Sequence, residues 1–70
     1  MLLKDVCLLL DELENIQILK IENNHFYEVY YGKVINIPNT FNNYNVLKHS
    51  LASDLDAEGY PYLIISIYKG

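Results

Sequence analysis

Apolar residues near the start of the chain recur at three- and four-residue intervals. Leu2, Leu3, Val6, Leu9, Leu10 and Leu13 fall on one stripe, with Lys4, Asp5, Asp11 and Glu12 off it, so residues 2–13 are predicted to form an amphipathic helix. Leu8 points away from the stripe, and Cys7 flanks it as a small buried hydrophobe. Asn15 is read as the helix stop. Beyond it the period changes to two. Ile16 to Glu22 and His25 to Tyr31 alternate around Asn23-Asn24, and asparagine tolerates the positive φ that a two-residue type I′ turn demands. The predicted hairpin pairs Ile21 with Phe26, Ile18 with Val29 and Ile16 with Tyr31. One face then carries Ile16, Ile18, Tyr27, Val29 and Tyr31, and the other Leu19, Ile21, Phe26, Glu28 and Tyr30.

From Gly32 to Tyr44 the pattern is irregular. Pro38 lacks a donor and disfavours helix just before itself, while Asn36, Asn39, Asn42 and Asn43 favour turns. Val34, Ile35, Ile37 and Phe41 can pin this segment to a core. Asn45 to Leu51 is predicted as a third strand with Leu47, His49 and Leu51 on one face, followed by a polar loop from Ser53 to Pro61. Tyr62 to Lys69 is the strongest strand signal, with Leu63, Ile65 and Ile67 inward and Tyr62, Ile64 and Tyr68 outward. The expected fold is α+β: one N-terminal helix packed on a small, mainly antiparallel sheet of about four strands, all in a single domain over residues 1–70.

One short helix covers one face of such a sheet, which leaves apolar surface for a partner. Chain length sharpens this. With 70 residues the chain buries only about 60% of its unfolded surface, and domains this small usually add a disulfide, a metal or an oligomeric contact. Cys7 is the single cysteine, so an internal disulfide is excluded and a reducing compartment is expected. Self-association remains, and a homodimer through the outward face around Tyr62, Ile64 and Tyr68 is expected. The N-terminal apolar positions are broken by Lys4 and Asp5, unlike a signal peptide, and no apolar run reaches the ~20 residues of a membrane span. A cytoplasmic, soluble chain is expected, with no membrane partner. Net charge is −4 and all five basic residues are lysines, which argues against direct nucleic-acid binding, because arginine supplies the fork that reads phosphates and guanine edges.

Candidate chemistry is sparse. Asp54-Leu55-Asp56-Ala57-Glu58-Gly59 matches the first half of a calcium-binding EF-hand loop, but the closing position holds Ile65 in place of a bidentate glutamate, so no metal is expected. His25 and His49 have no third ligand at a recognisable spacing. Serines 50, 53 and 66 lack a nucleophile-elbow context, and Gly32, Gly59 and Gly70 are too scattered for a phosphate loop. No catalytic residue and no cofactor are expected. Seven tyrosines remain, a residue that suits half-buried strands and also interfaces, where it offers large contact area with a polar tip.

A Leu-rich N-terminal segment ending in Asp/Glu/Asn, then Ile16-x-Ile18, Tyr30-Tyr31-Gly32-Lys33, Ile37-Pro38, Val46 and a terminal Leu63-Ile64-Ile65-x-Ile67 together resemble short accessory proteins carried by phages and prophages of low-GC Gram-positive bacteria. That resemblance implies a non-enzymatic protein that inhibits or regulates a host protein by binding it, including CRISPR and other defence components. The expected partner-binding residues are Leu19, Ile21, Phe26, Tyr30, Tyr62, Ile64 and Tyr68. Two other readings compete. In one, an oligomer stacks its tyrosines on nucleotides as a small-molecule sponge, drawing cations from Lys20, Lys33, Lys48 and Lys69. In the other, Asp11, Glu12, Glu14, Asp54, Asp56 and Glu58 mimic nucleic-acid phosphates.

Overall fold

The computed structural model describes residues 1–69 and contains one helical turn and five strands: α1 (Leu3–Cys7), β1 (Asn15–Glu22), β2 (His25–Lys33), β3 (Asn45–Val46), β4 (Ala52–Leu55) and β5 (Pro61–Tyr68). Strand order is β2-β1-β5, with β3 and β4 sharing the far edge of β5. β1 and β5 run parallel, pairing Ile16 with Leu63 and Ile18 with Ile65, and every other pairing is antiparallel. The expected α+β class therefore holds in outline. The sheet has five strands, and its centre is the β-branched run that carries the strongest strand signal.

The β1–β2 turn forms as the asparagines require. Asn23 and Asn24 take φ of 51° and 64°, and the ladder starts at Glu22–His25 and Ile21–Phe26. The register then slips. Leu19 pairs with Glu28 but Ile18 pairs with Tyr30, so Val29 is an inserted bulge residue. Beyond it every pairing is one residue away from the simple alternation: Ile16 meets Gly32 instead of Tyr31.

The helix is much shorter than its periodicity. α1 ends by Leu8, and Leu9 and Leu13 are 77% and 66% exposed, although Leu3 and Val6 are buried and Leu10 packs on the core. A local competitor explains the early stop. The Asp11 carboxylate accepts from the Leu13 N–H at 2.9 Å and its carbonyl accepts from Glu14 at 3.2 Å, closing a turn where a third helical turn was expected. The first N–H groups, which a helix leaves without internal acceptors, are satisfied by the carbonyls of Tyr44 and Asn42, to which Leu3 and Lys4 donate. A five-residue helix has little stability of its own. It contributes two core side chains and does not form a layer over the sheet.

The rest of the cover comes from the irregular segment. Val34–Asn36 and Asn39–Phe41 form single 3₁₀ turns around Ile37-Pro38. Val34 and Ile35 donate to Glu14 and Glu12, fixing the segment against the end of the N-terminal loop. Buried Leu3, Val6, Ile16, Ile18, Val34, Ile65 and Ile67 make the core, with Ile37, Phe41, Tyr44 and Leu63 packed around it. Since Ile16 and Ile18 of β1 share a side with Ile65 and Ile67 of β5, this core lies on one face of the sheet.

The expected third strand is broken in two. His49 adopts φ of 63°, which ends pairing, so Leu47, His49 and Leu51 lie in an exposed loop between β3 and β4. Ser50 bridges the break: its hydroxyl accepts from the Ser66 N–H at 3.2 Å and donates to the Ser66 carbonyl at 3.4 Å. Part of the expected polar loop is strand β4, antiparallel to the start of β5.

Candidate functional site

The face opposite the core is built by alternation along three strands. Gln17, Leu19 and Ile21 leave β1 on that side, Tyr62 and Ile64 leave β5, and the paired Phe26, Glu28 and Tyr31 leave β2. No helix or 3₁₀ turn contributes a core residue there; the cover described above belongs to the other side. Phe26 is 57% exposed and Tyr31 45%, while Leu19, Ile21, Tyr62 and Ile64 are half-buried among their neighbours. Tyr31 and Tyr62 pack edge-to-face with ring centres 5.4 Å apart, and the Gln17 amide donates to the Glu28 carboxylate at 3.0 Å. Loss of solvent around Tyr31 raises its phenol pKa, and the carboxylate of Asp56, together with Tyr62 and Glu28, raises it further. An acidic rim thus stands beside the aromatic pair.

Of the seven residues expected at this surface, the structure brings Leu19, Ile21, Phe26, Tyr62 and Ile64 together. Tyr68 leaves β5 on the same side by alternation but stands at its far end, opposite Asn45. Tyr30 is a correction. The bulge at Val29 turns it to the core side opposite Ile18, where it packs on the core and its hydroxyl donates to the Lys33 carbonyl at 2.6 Å. Tyr31 takes the place expected for Tyr30. No residue near the bulge announces it, because Val29, Tyr30 and Tyr31 are all ordinary strand residues.

No family model, curated protein or solved structure matches this chain. What it does must therefore be argued from its own surface.

Elsewhere, α1 and the loop after β3 enclose an apolar groove of about 660 Å³, lined in part by Met1, Val6, Leu9, Val46, Leu51 and Ile65. It forms only because the helix stops early, leaving Leu9 facing the loop, and sequence periodicity gives no hint of it. The acidic loop has its oxygens committed to turns: Asp56 Oδ1 accepts from the Glu58 and Tyr60 N–H groups at 2.9 Å, and Asp54 Oδ1 from Leu55 at 2.8 Å. Gly59, at φ 85°, supplies the bend of a β-hairpin. No three acidic, histidine or cysteine side chains are grouped to hold a metal ion among the described residues. His25 follows the asparagine turn and His49 sits in the loop before β4, both exposed. The Cys7 thiol is half-buried, and burial pushes its pKa up. No helix of the described residues is long and apolar enough to cross a membrane.

Proposed function

We propose that this chain is a non-enzymatic binding protein that docks a protein partner on its open sheet face. The observation that carries this reading is the one-sided cover: the core lies on one face, while Leu19, Ile21, Phe26, Tyr31, Tyr62 and Ile64 share the other with Gln17 and Glu28 set among them. Aromatic and aliphatic side chains interleave there with Gln17 and Glu28, and Asp56 stands near Tyr31, which makes a mixed aromatic and acidic contact surface. The partner it fits presents an apolar patch flanked by lysine or arginine. In line with the resemblance to phage accessory proteins, we take that partner to be a host protein and the effect of binding to be its inhibition or regulation. Of the four lysines that stacking on nucleotides would draw on, Lys20 is engaged with Glu22 at 3.3 Å and lies over the Tyr44 ring on the core side.

The experiment is affinity capture from a bacterial lysate, followed by titration of each recovered protein against face and non-face variants. Tyr31→Ala and Tyr62→Ala should weaken binding at least about thirtyfold each, the size expected of central anchors. Leu13→Ala, at an exposed position outside this surface, should leave binding unchanged. Equal affinity for wild type and both tyrosine variants, with all three folded, would remove the open face as the contact surface.

A further inference from the structure

β2 is the outer strand of the sheet, and among the described residues no strand pairs with its nine residues on one side. The opposite edge is different in kind: β3 and β4 are short and separated by a loop. Long free edges are usually blunted by proline, by charge, by a bulge or by cover; β2 has no proline, carries Glu28 and Lys33 as its charges, and has one bulge, at Val29. The molecule also exposes 4922 Å², against the roughly 4,500 Å² expected of a compact monomer of its mass.

The pattern of outward backbone groups on this edge is symmetric. In a two-residue hairpin the pair flanking the turn, Glu22–His25, exchanges both hydrogen bonds, and the exchange then alternates along the ladder. Before the bulge, His25 and Tyr27 therefore face β1 while Phe26 and Glu28 turn their N–H and C=O outward. After it, the bond from the Val34 N–H to the Glu14 carbonyl, 2.9 Å, fixes the phase again: Gly32 faces β1, and Tyr31 and Lys33 turn outward. The outward residues are 26, 28, 31 and 33. With the bulge at the middle the intervals are two, three and two, which read the same from either end.

We propose that this edge pairs antiparallel with the same edge of a second copy about a two-fold axis between Val29 and Tyr30. Phe26 then lies opposite Lys33 of the second copy and Glu28 opposite Tyr31, so all outward groups are matched in one register, with the Lys33 carbonyl, which already accepts from the Tyr30 hydroxyl, accepting through its second lone pair. A shift of one residue loses the match, because it sets outward residues against inward ones. Residues paired across strands share a face, so the two aromatic faces lie on the same side of a continuous ten-stranded sheet. Lysine meets phenylalanine and a carboxylate meets a phenol in that register, with no like charges opposed. The pairing leaves both open faces free, and it stands whether or not they bind a host protein.

The test is sedimentation velocity at about 100 µM, a concentration that populates even a micromolar dimer, with amide exchange read by NMR on the same sample. Wild type should sediment at twice its 8.2 kDa, and the amides of Phe26, Glu28, Tyr31 and Lys33 should exchange far more slowly than in a monomer. Glu28→Pro removes an outward N–H and spares the β1 ladder. Two-fold symmetry deletes that bond twice, so dimer dissociation should strengthen at least about thirtyfold. A synthetic chain N-methylated at Tyr31 should behave alike, and Ile64→Glu should remain dimeric. A monomeric wild type overturns the proposal, as does a dimer whose four amides exchange freely. So does a dimer abolished by Ile64→Glu but kept by both edge variants, which places the contact on the face. Should both edge variants unfold, the wild-type exchange pattern decides.

Discussion

Gly32 is the position where a single methyl group should have a traceable cost. It lies opposite fully buried Ile16, and the Tyr30 ring lies across it. A Cβ placed on Gly32 would come within 2.7 Å of the Tyr30 Oη and 3.0 Å of its Cζ. Backbone φ at this glycine is not in the left-handed region, so conformation does not forbid alanine; the ring does. In Gly32→Ala the Tyr30 side chain must swing away and give up its bond to the Lys33 carbonyl. That bond contributes about 1 kcal/mol. Re-exposing roughly 40 Å² of ring costs about another 1 kcal/mol at 25 cal/mol per Å². Alanine returns about 0.5 kcal/mol by restricting the unfolded chain. The net loss is about 1.5 kcal/mol, which in a domain of this size lowers Tm by about 6–12 °C. Urea unfolding of a double-mutant cycle with Tyr30→Val isolates the cause: once the ring is gone, Gly32→Ala should be neutral or stabilising, giving a coupling of about 2 kcal/mol. If Gly32→Ala is equally costly in both backgrounds, the close approach of the ring is not why glycine stands there.

Ile65→Ala, at a fully buried site in the central strand, should cost about 3–4 kcal/mol, much of the stability of a 70-residue domain, and calorimetry should find the variant largely unfolded at 37 °C. His49→Gly should stabilise by up to about 1 kcal/mol in chemical denaturation, because φ of 63° strains histidine and not glycine. Cys7 has a folded-state pKa raised by burial, so its contribution is full below the unfolded pKa and is lost as pH rises through the folded one. Thermal unfolding between neutral and strongly alkaline pH should therefore fall less steeply for Cys7→Ala than for wild type, and the native thiol should alkylate more slowly than a free cysteine at pH 8.

The hairpin turn and the inward set on β5 are legible in the sequence because each rests on a strong local rule. Asparagine pairs favour positive φ, and Leu63, Ile65 and Ile67 alternate without interruption. Tyr30 and Tyr31 exchange faces because a bulge depends on how two strands meet, and nothing in Val29-Tyr30-Tyr31 prefers one register. The helix is over-read for a related reason. Its periodicity is real, but Asp11 offers the backbone competing acceptors that close a separate turn at residues 11–14. The split between β3 and β4 turns on the single left-handed residue His49 within a run that alternates like a strand. Most of the candidate surface follows from simple alternation; its extension to Tyr31 requires the bulge.

The parallel pairing of β1 with β5 has a kinetic consequence. β5 follows β1, β3 and β4 in the chain, yet it lies between β1 and the other two. The β1–β2 hairpin can close within microseconds, but an isolated hairpin is marginal in water. The core side of the sheet stays incomplete until the chain has looped back from Glu22 to Pro61, and parallel pairings of that separation form slowly. Folding should therefore proceed as one late event limited by the docking of β5. Until then Ile16 and Ile18 are left facing water, which makes the interval before docking the period when this chain is most exposed to aggregation and proteolysis.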